Sequence, residues 1–164
     1  MKQTYEEITY EPIGFFRSPF SDIKGMPIQP VGGMAYEGSI EILAEFRDGL
    51  KDLEGFSHLI VLSHLHRIKG YDLLVKPFLD NDYHGIFATR SPKRPNPVGF
   101  SIMEIRQVTA TGIDLRGIDV IDGTPVIDIK PYVADFDIWQ ASRFGWFEGK
   151  SGQATRHKSD DRFR

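Results

Sequence analysis

Glycine and proline interrupt this chain so often that few stretches are long enough to form a helix. There are 16 glycines and 10 prolines among the 164 residues. The segments between them are rich in β-branched and aromatic residues and show little helical periodicity. Seven segments fit strands: residues 8–17, 35–42, 59–65, 85–89, 99–108, 113–121 and 126–132. This pattern predicts an all-β domain, a barrel or a sandwich, with short helical insertions.

Two segments are exceptions, and each predicts a short helix. Phe46, Leu50 and Leu53 follow one another at spacings of four and three, and Gly55 is a suitable C-terminal stop. We therefore expect a helix over residues 45–55 and a second over residues 137–147. Asp-Gly at residues 122–123 predicts a tight turn between the last two strands, as a hairpin or a longer connection.

Length and composition narrow the classes of protein. A chain of 164 residues is one domain that can bury roughly two-thirds of its unfolded surface. It has no cysteine, which excludes thiolate zinc sites, cysteine nucleophiles and cysteine-held iron–sulfur clusters, and which suits a reducing cytoplasm. The net charge is −3, so any binding to nucleic acid must come from a local patch. The first ten residues lack the features of a targeting segment, and no apolar run approaches membrane-spanning length.

Residues 88–99 form the most informative loop, with three cations and three prolines in twelve residues. The prolines stiffen the backbone, so the loop loses little entropy when it orders. Arg90 and Arg94 each offer a planar fork to a carboxylate or phosphate, and Lys93 offers a point charge. We interpret the loop as an anion-binding element. The alternative is a solvated surface loop whose prolines protect a strand end.

Three histidines lie along the run that contains the third predicted strand. Strand alternation would place His58, His64 and His66 on one face, with the last two roughly 7 Å apart. A shared metal would need a third ligand from distant sequence, such as His84, Asp135 or Asp137. We therefore favour hydrogen-bonded histidines over a metal site.

Eight segments resemble, in order and spacing, the TrmO (YaeB-like) tRNA methyltransferase family. They are Ile13-Gly14, Arg17-Ser18-Pro19, Gln29-Pro30, Gly55-Phe56-Ser57-His58-Leu59, Gly85-Ile86-Phe87-Ala88-Thr89-Arg90-Ser91, Arg94-Pro95-Asn96-Pro97-Val98-Gly99, Asp122-Gly123-Thr124-Pro125 and Asp128-Ile129-Lys130-Pro131-Tyr132. The resemblance covers about residues 8–137. Its two most specific motifs are Arg94-Pro95-Asn96-Pro97 and Asp128-Ile129-Lys130-Pro131-Tyr132.

This resemblance implies a small, mostly antiparallel β-barrel that binds S-adenosylmethionine, unlike the doubly wound fold of most methyltransferases, and that acts as a homodimer. Family members N-methylate N6-threonylcarbamoyladenosine at position 37, next to the anticodon of tRNA. By matching positions, the implied cofactor residues are Gln29, Pro30, Val31, Leu65, His66, Arg90, Phe100, Val120, Ile121, Asp122 and Gly123. No metal is implied.

The implied reaction suggests further roles. The carbamoyl group withdraws the lone pair of the acceptor nitrogen, so a general base would help by roughly 10²–10⁴-fold; His66, Asp128 and Tyr132 are the candidates. The threonyl carboxylate is a second anion, which Lys93, Arg94 or Lys130 would recognise. Unmodified adenosine would then be a poor substrate.

The C-terminal part departs from the family, whose bacterial members typically continue into an additional region. We divide the chain into a methyltransferase barrel, residues 1–137, and a C-terminal helix with a basic, flexible tail, residues 138–164. Trp139 and Trp146 would pack on one face of that helix, or alternatively stack on bases. Two other functions stay open: an RNA-binding barrel without enzymatic activity, and a methyltransferase acting on a small molecule or a protein.

Overall fold

Six strands close into an antiparallel barrel in the computed structural model, which describes residues 6–150 and 158–159. They are β1 (Gly14–Arg17), β2 (Glu37–Ile42), β3 (His58–His64), β6 (Val98–Val108), β7 (Gly112–Arg116) and β8 (Pro125–Pro131), and their order around the barrel is β1-β2-β7-β6-β3-β8. The pairing of β1 with β8 completes the closure. The strands β4 (Leu74–Val75) and β5 (His84–Gly85) form a separate small sheet in the long connection between β3 and β6. The predicted all-β class and the antiparallel barrel are confirmed.

Helical structure in the described residues is short. It comprises α1 (Pro30–Gly33), α2 (Ala134–Asp137) and 3₁₀ segments at Ala44–Leu50, Leu53–Gly55, Ile86–Ala88 and Gly145–Phe147.

The barrel interior is filled by alternate residues of its strands. On β3, Leu59, Val61 and Ser63 are buried, while the residues between them are partly exposed. The buried apolar core includes Phe16, Ile40, Leu59, Val61, Met103, Ile113, Leu115, Ile118 and Val126. This alternation is typical of barrel strands, whose successive side chains point to opposite faces of the sheet.

Several predicted element boundaries were wrong. The strand predicted at residues 8–17 begins only at Gly14, and the one predicted at 113–121 ends at Arg116. Residues 85–89 are mainly a 3₁₀ turn, because their backbone folds back so that Thr89 N–H bonds to the Ile86 carbonyl. The tight turn at residues 121–124 is confirmed, with Gly123 at φ 74° and a 3.2 Å bond from Thr124 N–H to the Ile121 carbonyl. It makes no hairpin, however, since β7 pairs with β2 and β6 whereas β8 pairs with β1 and β3.

Neither predicted helix forms as expected. Residues 45–55 split into two 3₁₀ segments because Asp52 adopts a left-handed conformation, with φ 67°, between them. Residues 137–147 contain no α-helix beyond Asp137, and Trp139 is 86% exposed. The shared packing face expected for the two tryptophans is therefore wrong. The predicted tail lies mostly outside the described residues, although Lys158 pairs with Pro27.

Tight packing between β2 and β7 explains why residue 112 is a glycine. A Cβ at Gly112 would lie 2.1 Å from the Ile40 carbonyl oxygen of the neighbouring strand. We expect Gly112→Ala to lower the free energy of unfolding by about 3 kcal/mol or more, because backbone must shift to relieve the clash. Urea unfolding followed by circular dichroism measures this change.

Gly49→Ala is the matched control, since a Cβ at Gly49 would meet nothing within 4 Å. We expect its effect to stay within about 1 kcal/mol. Equal midpoints for the two variants would contradict the proposed strand clash.

No helix among the described residues is long and apolar enough to cross a membrane. No group of three or more histidine or acidic side chains there is placed to hold a metal ion.

Candidate functional site

Three predicted cofactor residues from distant segments meet at one place. An Arg90 guanidinium nitrogen donates a 3.0 Å hydrogen bond to Gln29 Oε1, and the guanidinium carbon lies 6.0 Å from the centre of the Phe100 ring. Phe100, on β6, is 47% exposed. The loop cation is thus held between an amide and an aromatic face and stays accessible, which suits it to bind an anion.

The helix α1 places Pro30 and Val31 beside this cluster. It begins directly after Gln29, and its Gly33 lies so close to the β7–β8 connection that a Cβ would be 2.5 Å from the Ile118 carbonyl oxygen. Val31 is 54% exposed. The close backbone contact fixes α1 against residues 117–119.

Leu65 lies against the start of β6. Its N–H donates a 2.8 Å bond to the Pro97 carbonyl, and a Cβ at Gly99 would be 3.1 Å from its side chain. This contact connects the end of β3 with the end of the basic loop.

His66 lies two residues beyond the end of β3. The peptide turns immediately after β3, with His66 N–H bonded to the His64 carbonyl. The expectation that His64 and His66 share a strand face is therefore wrong. Burial, and then the nearby charges of Arg67 and His64, lower the pKa of the His66 ring. This shift favours the neutral ring, which can accept a proton.

The four predicted cofactor residues between β7 and β8 are held by the segment after β1. Ser18 Oγ donates to the Val120 carbonyl at 2.6 Å, and the Asp122 carboxylate accepts the Ser18 N–H at 3.0 Å. Asp122 N–H donates to the Phe20 carbonyl at 2.7 Å. Val120 and Ile121 are buried, while Asp122 is exposed and Gly123 partly so. Ser18, which sequence reasoning left without a role, thus fixes this connection.

The other cations of the basic loop are engaged within the protein. Arg94 donates to the carbonyls of Thr89 at 2.9 Å and Ser91 at 3.3 Å, and so holds the loop in shape. Lys93 pairs with Asp72 at 3.8 Å. Ser91 Oγ, by contrast, is buried and has no hydrogen-bond partner among the described residues. Arg90 is therefore the loop cation best placed for a ligand, and Ser91 is an additional polar group that the sequence did not indicate.

The motif at residues 128–132 occupies the second half of β8 and the residue that follows it. Asp128 lies opposite Leu62, which in turn lies opposite Phe100, so Asp128 and Phe100 are two strand spacings apart, about 10 Å between backbones. Lys130 is 60% exposed and binds Asp128 at 2.5 Å. The structure thus places the Asp128–Lys130 pair on the sheet that carries Phe100.

Tyr132 lies at the other end of β3. Its N–H bonds to the His58 carbonyl at 3.1 Å and its ring contacts the His58 ring edge-on, with centres 6.2 Å apart. His58 and His64 begin and end this seven-residue strand, so they are about 20 Å apart. Within one copy of the chain, Tyr132 is not brought to the cofactor residues.

Comparison with known proteins identifies the family. A family model described as the tRNA-methyltransferase O N-terminal domain matches residues 15–138. The chain belongs to the TrmO family. A crystal structure of TrmO from Pseudomonas aeruginosa is similar, with a TM-score of 0.72 and 35% identity, and the match covers 86% of this chain and 63% of that one.

Two relatives of this chain that differ in length carry functional names. A probable S-adenosyl-L-methionine-binding protein from Pyrococcus abyssi is 44% identical over 95% of this chain and 85% of its own length. A tRNA (adenine(37)-N6)-methyltransferase from Escherichia coli is 37% identical over 76% of this chain and 57% of its own length. The chain thus spans little more than half of that methyltransferase.

Two residues beyond the matched TrmO domain, Trp146 and Lys150, contact the basic loop and the segment before it. Trp146 Nε1 donates a 2.7 Å bond to the Ala88 carbonyl, two residues before Arg90, and its ring stacks on His84 with centres 4.8 Å apart. Asp80 accepts hydrogen bonds from His84 and Lys150, and the Lys150 bond is the largest cause of the lowered pKa of the Asp80 carboxyl. The C-terminal segment is thus tied to the loop that carries Arg90.

We expect Trp146→Phe to weaken binding of S-adenosylmethionine about fivefold, because one hydrogen bond worth about 1 kcal/mol no longer fixes the backbone before Arg90. Isothermal titration calorimetry measures the affinity. Trp139→Phe is the control, since Trp139 is exposed, and it should leave the affinity within twofold. An unchanged affinity of the Trp146 variant would show that the segment does not order the loop.

Proposed function

We propose that this chain transfers the methyl group of S-adenosylmethionine to N6 of adenosine 37 in tRNA, and that the adenosine carries an N6-threonylcarbamoyl group. One observation carries the proposal: on a barrel of the TrmO family, Arg90 is held by Gln29 and Phe100 at a position accessible to an anionic ligand. The relatives named for S-adenosylmethionine binding and for methylation of adenine 37 support the same reaction. A tRNA substrate implies a cytoplasmic location.

The side chains present fit this cofactor. Arg90 suits the methionine carboxylate, since guanidinium and carboxylate form paired, charge-assisted hydrogen bonds. The unpartnered Ser91 hydroxyl can bond to a polar ligand atom. Pro30, Leu65 and Phe100 offer apolar surface for the adenine, and the backbone of residues 120–123 offers hydrogen bonds. When bound, the cofactor supplies an electrophilic methyl group on a sulfonium sulfur.

The protein contributes mainly alignment. The bond between sulfur and the methyl carbon breaks as the bond to N6 forms, and N6 loses its proton. Holding the two reactants in line is worth up to about 7–11 kcal/mol of the barrier. No covalent enzyme intermediate is needed.

Two of the three base candidates agree with the geometry of a single copy. The His66 ring follows Leu65, and its lowered pKa keeps it ready to accept a proton. Asp128 lies on the sheet that carries Phe100, but Lys130 occupies its carboxylate. We propose His66 as the first candidate and Asp128 as the second. Tyr132 stays a prediction that requires a second copy of the chain to bring it near.

We assign recognition of the threonyl carboxylate to three cations, Lys93, Arg94 and Lys130. Lys130 is the most available, while Lys93 and Arg94 are partly buried and engaged with Asp72 and with loop carbonyls. We propose Lys130 for direct contact, and Lys93 and Arg94 for contact after exchange of their present partners.

The decisive experiment is transfer of labelled methyl from S-adenosylmethionine to two tRNA samples, one with the threonylcarbamoyl group at position 37 and one without it. Mass spectrometry of the nucleosides identifies the product. We expect label on N-methylated threonylcarbamoyladenosine alone. Equal labelling of both samples would refute the substrate, and cofactor binding without any tRNA labelling would favour a small-molecule or protein substrate. No cofactor binding at all would favour a non-enzymatic RNA-binding barrel.

We also propose that the chain acts as a homodimer. Large apolar side chains are exposed in the β3–β6 connection and after β8; they include Tyr71, Leu73, Leu74, Tyr83, Phe87, Phe136 and Ile138, each more than half exposed. Large exposed apolar side chains of this kind are enriched at protein interfaces. Light scattering after size-exclusion chromatography should give twice the chain mass of 18.7 kDa.

A further inference from the structure

A partly buried carboxyl group connects two of the segments assigned to the cofactor. Ser101 follows Phe100 on β6, faces the barrel interior and is 5% exposed. Its hydroxyl donates a 2.9 Å hydrogen bond to Asp119 Oδ1. Asp119 directly precedes Val120 in the β7–β8 connection. The bond therefore joins the Phe100 strand to the connection that holds Val120, Ile121, Asp122 and Gly123.

This carboxyl lies at the end of the barrel where the other cofactor segments converge. Ser63, 2% exposed, sits against Gly99, since a Cβ at Gly99 would be 2.5 Å from Ser63 Oγ. Leu65 packs on the same glycine. The backbone of α1 lies on Ile118, next to Asp119. The end of β3 and α1 thus adjoin the two segments that the Ser101–Asp119 bond joins.

The acidic group lacks a charged partner. Among the residues that the structure describes, no lysine, arginine or histidine pairs with Asp119, and Ser101 is its only side-chain hydrogen-bond donor. Burial raises the pKa of this carboxyl to about 7, while the Ser101 hydroxyl and the Asp119 backbone N–H oppose the shift. A buried carboxylate is costly without a cation. A cationic ligand would remove this cost.

We propose that Asp119 is a cofactor-binding residue whose carboxylate pairs with a positive charge at the methionine end of S-adenosylmethionine, either the α-ammonium or the sulfonium group. This assignment rests on the proposed function. Arg90 then binds the negative group of the same end, so the site carries charges of both signs for a ligand that carries both. Ser101 holds the carboxylate in place.

The test is isothermal titration calorimetry of Asp119→Asn with three ligands: S-adenosylmethionine, S-adenosylhomocysteine and 5′-methylthioadenosine. We expect the variant to bind S-adenosylmethionine about 30-fold more weakly, because a charge-assisted contact is lost. Its affinity for 5′-methylthioadenosine, which has the adenosine but no charged methionine end, should stay within twofold. Equal losses for the first two ligands assign the α-ammonium group, and a loss for S-adenosylmethionine alone assigns the sulfonium.

Ser101→Ala and Asp114→Asn complete the set. Ser101→Ala keeps the charge, so it should weaken S-adenosylmethionine binding less than Asp119→Asn does. Asp114→Asn changes a carboxylate on β7 that has no described role and should leave the affinity unchanged. The proposal is overturned if Asp119→Asn binds like the wild type, or if it binds all three ligands equally more weakly. If the wild type itself fails to bind S-adenosylmethionine, the proposed function fails first.

Discussion

Arg90→Ala should lower kcat/KM for methyl transfer by about 100-fold or more. Its guanidinium is accessible and is held by Gln29 and Phe100, and we propose that it binds the carboxylate of the cofactor. Loss of a buried charge-assisted pair on ligand binding costs about 2–5 kcal/mol, which corresponds to a factor of roughly 30 to several thousand. Steady-state transfer of labelled methyl to tRNA measures kcat/KM of the variant and of the wild type. Arg90→Lys should retain part of the rate, because it keeps the charge but loses the planar fork.

Arg106→Ala provides the matched control. Arg106 also lies on β6, but its side chain is half exposed and pairs with Glu37 and Glu104. Exposed ion pairs contribute little to stability, so this variant should remain within twofold of the wild type. Arg90→Ala with wild-type kcat/KM would refute the assigned cofactor site.

Asp119→Asn should stabilise the ligand-free protein at alkaline pH. The carboxyl has a pKa of about 7 in the folded protein, raised by burial from the ordinary 3.8. The folded state therefore binds more protons than the unfolded state between these two values, and the wild type loses stability as the pH rises through that range. The asparagine variant does not titrate. We expect it to be more stable than the wild type by about 2–4 kcal/mol at pH 8 and nearly equal to it at pH 4.

Urea unfolding of the ligand-free proteins at pH 4, 6 and 8 measures this difference. Asp114→Asn serves as the control and should change stability equally at each pH. A stability difference between wild type and Asp119→Asn that does not grow with pH would show that the carboxyl is not destabilised by burial. Because this readout needs neither cofactor nor tRNA, it tests the electrostatics of the site independently of the reaction.

The two expected effects of Asp119→Asn have opposite signs: greater stability and weaker cofactor binding. This combination is typical of functional sites, where groups arranged for a ligand lower the stability of the free protein. Substitution of a residue with a purely structural role would lower both the stability and the cofactor affinity.

The assignment of residues to the cofactor came from short motifs and stays a prediction. Arg90, Gln29 and Phe100 came from the family resemblance, and the structure places Arg90 in contact with the other two. Asp119 was missed because it stands inside the apolar run Ile118-Asp119-Val120-Ile121. An acid in such a run is itself a signal of a buried charge, although its partner, Ser101, is 18 residues away.

Local patterns in the sequence determined most of the barrel strands, since enrichment in β-branched and aromatic residues between glycines and prolines depends only on neighbouring residues. They also determined the stiffness of the basic loop and the turn at Gly123. Tertiary structure alone decided which strands are neighbours, that Arg94 supports the loop while Arg90 contacts Gln29 and Phe100, and that Tyr132 lies far from His66. These outcomes depend on barrel closure and on contacts between distant segments, which residue spacing along the chain does not encode.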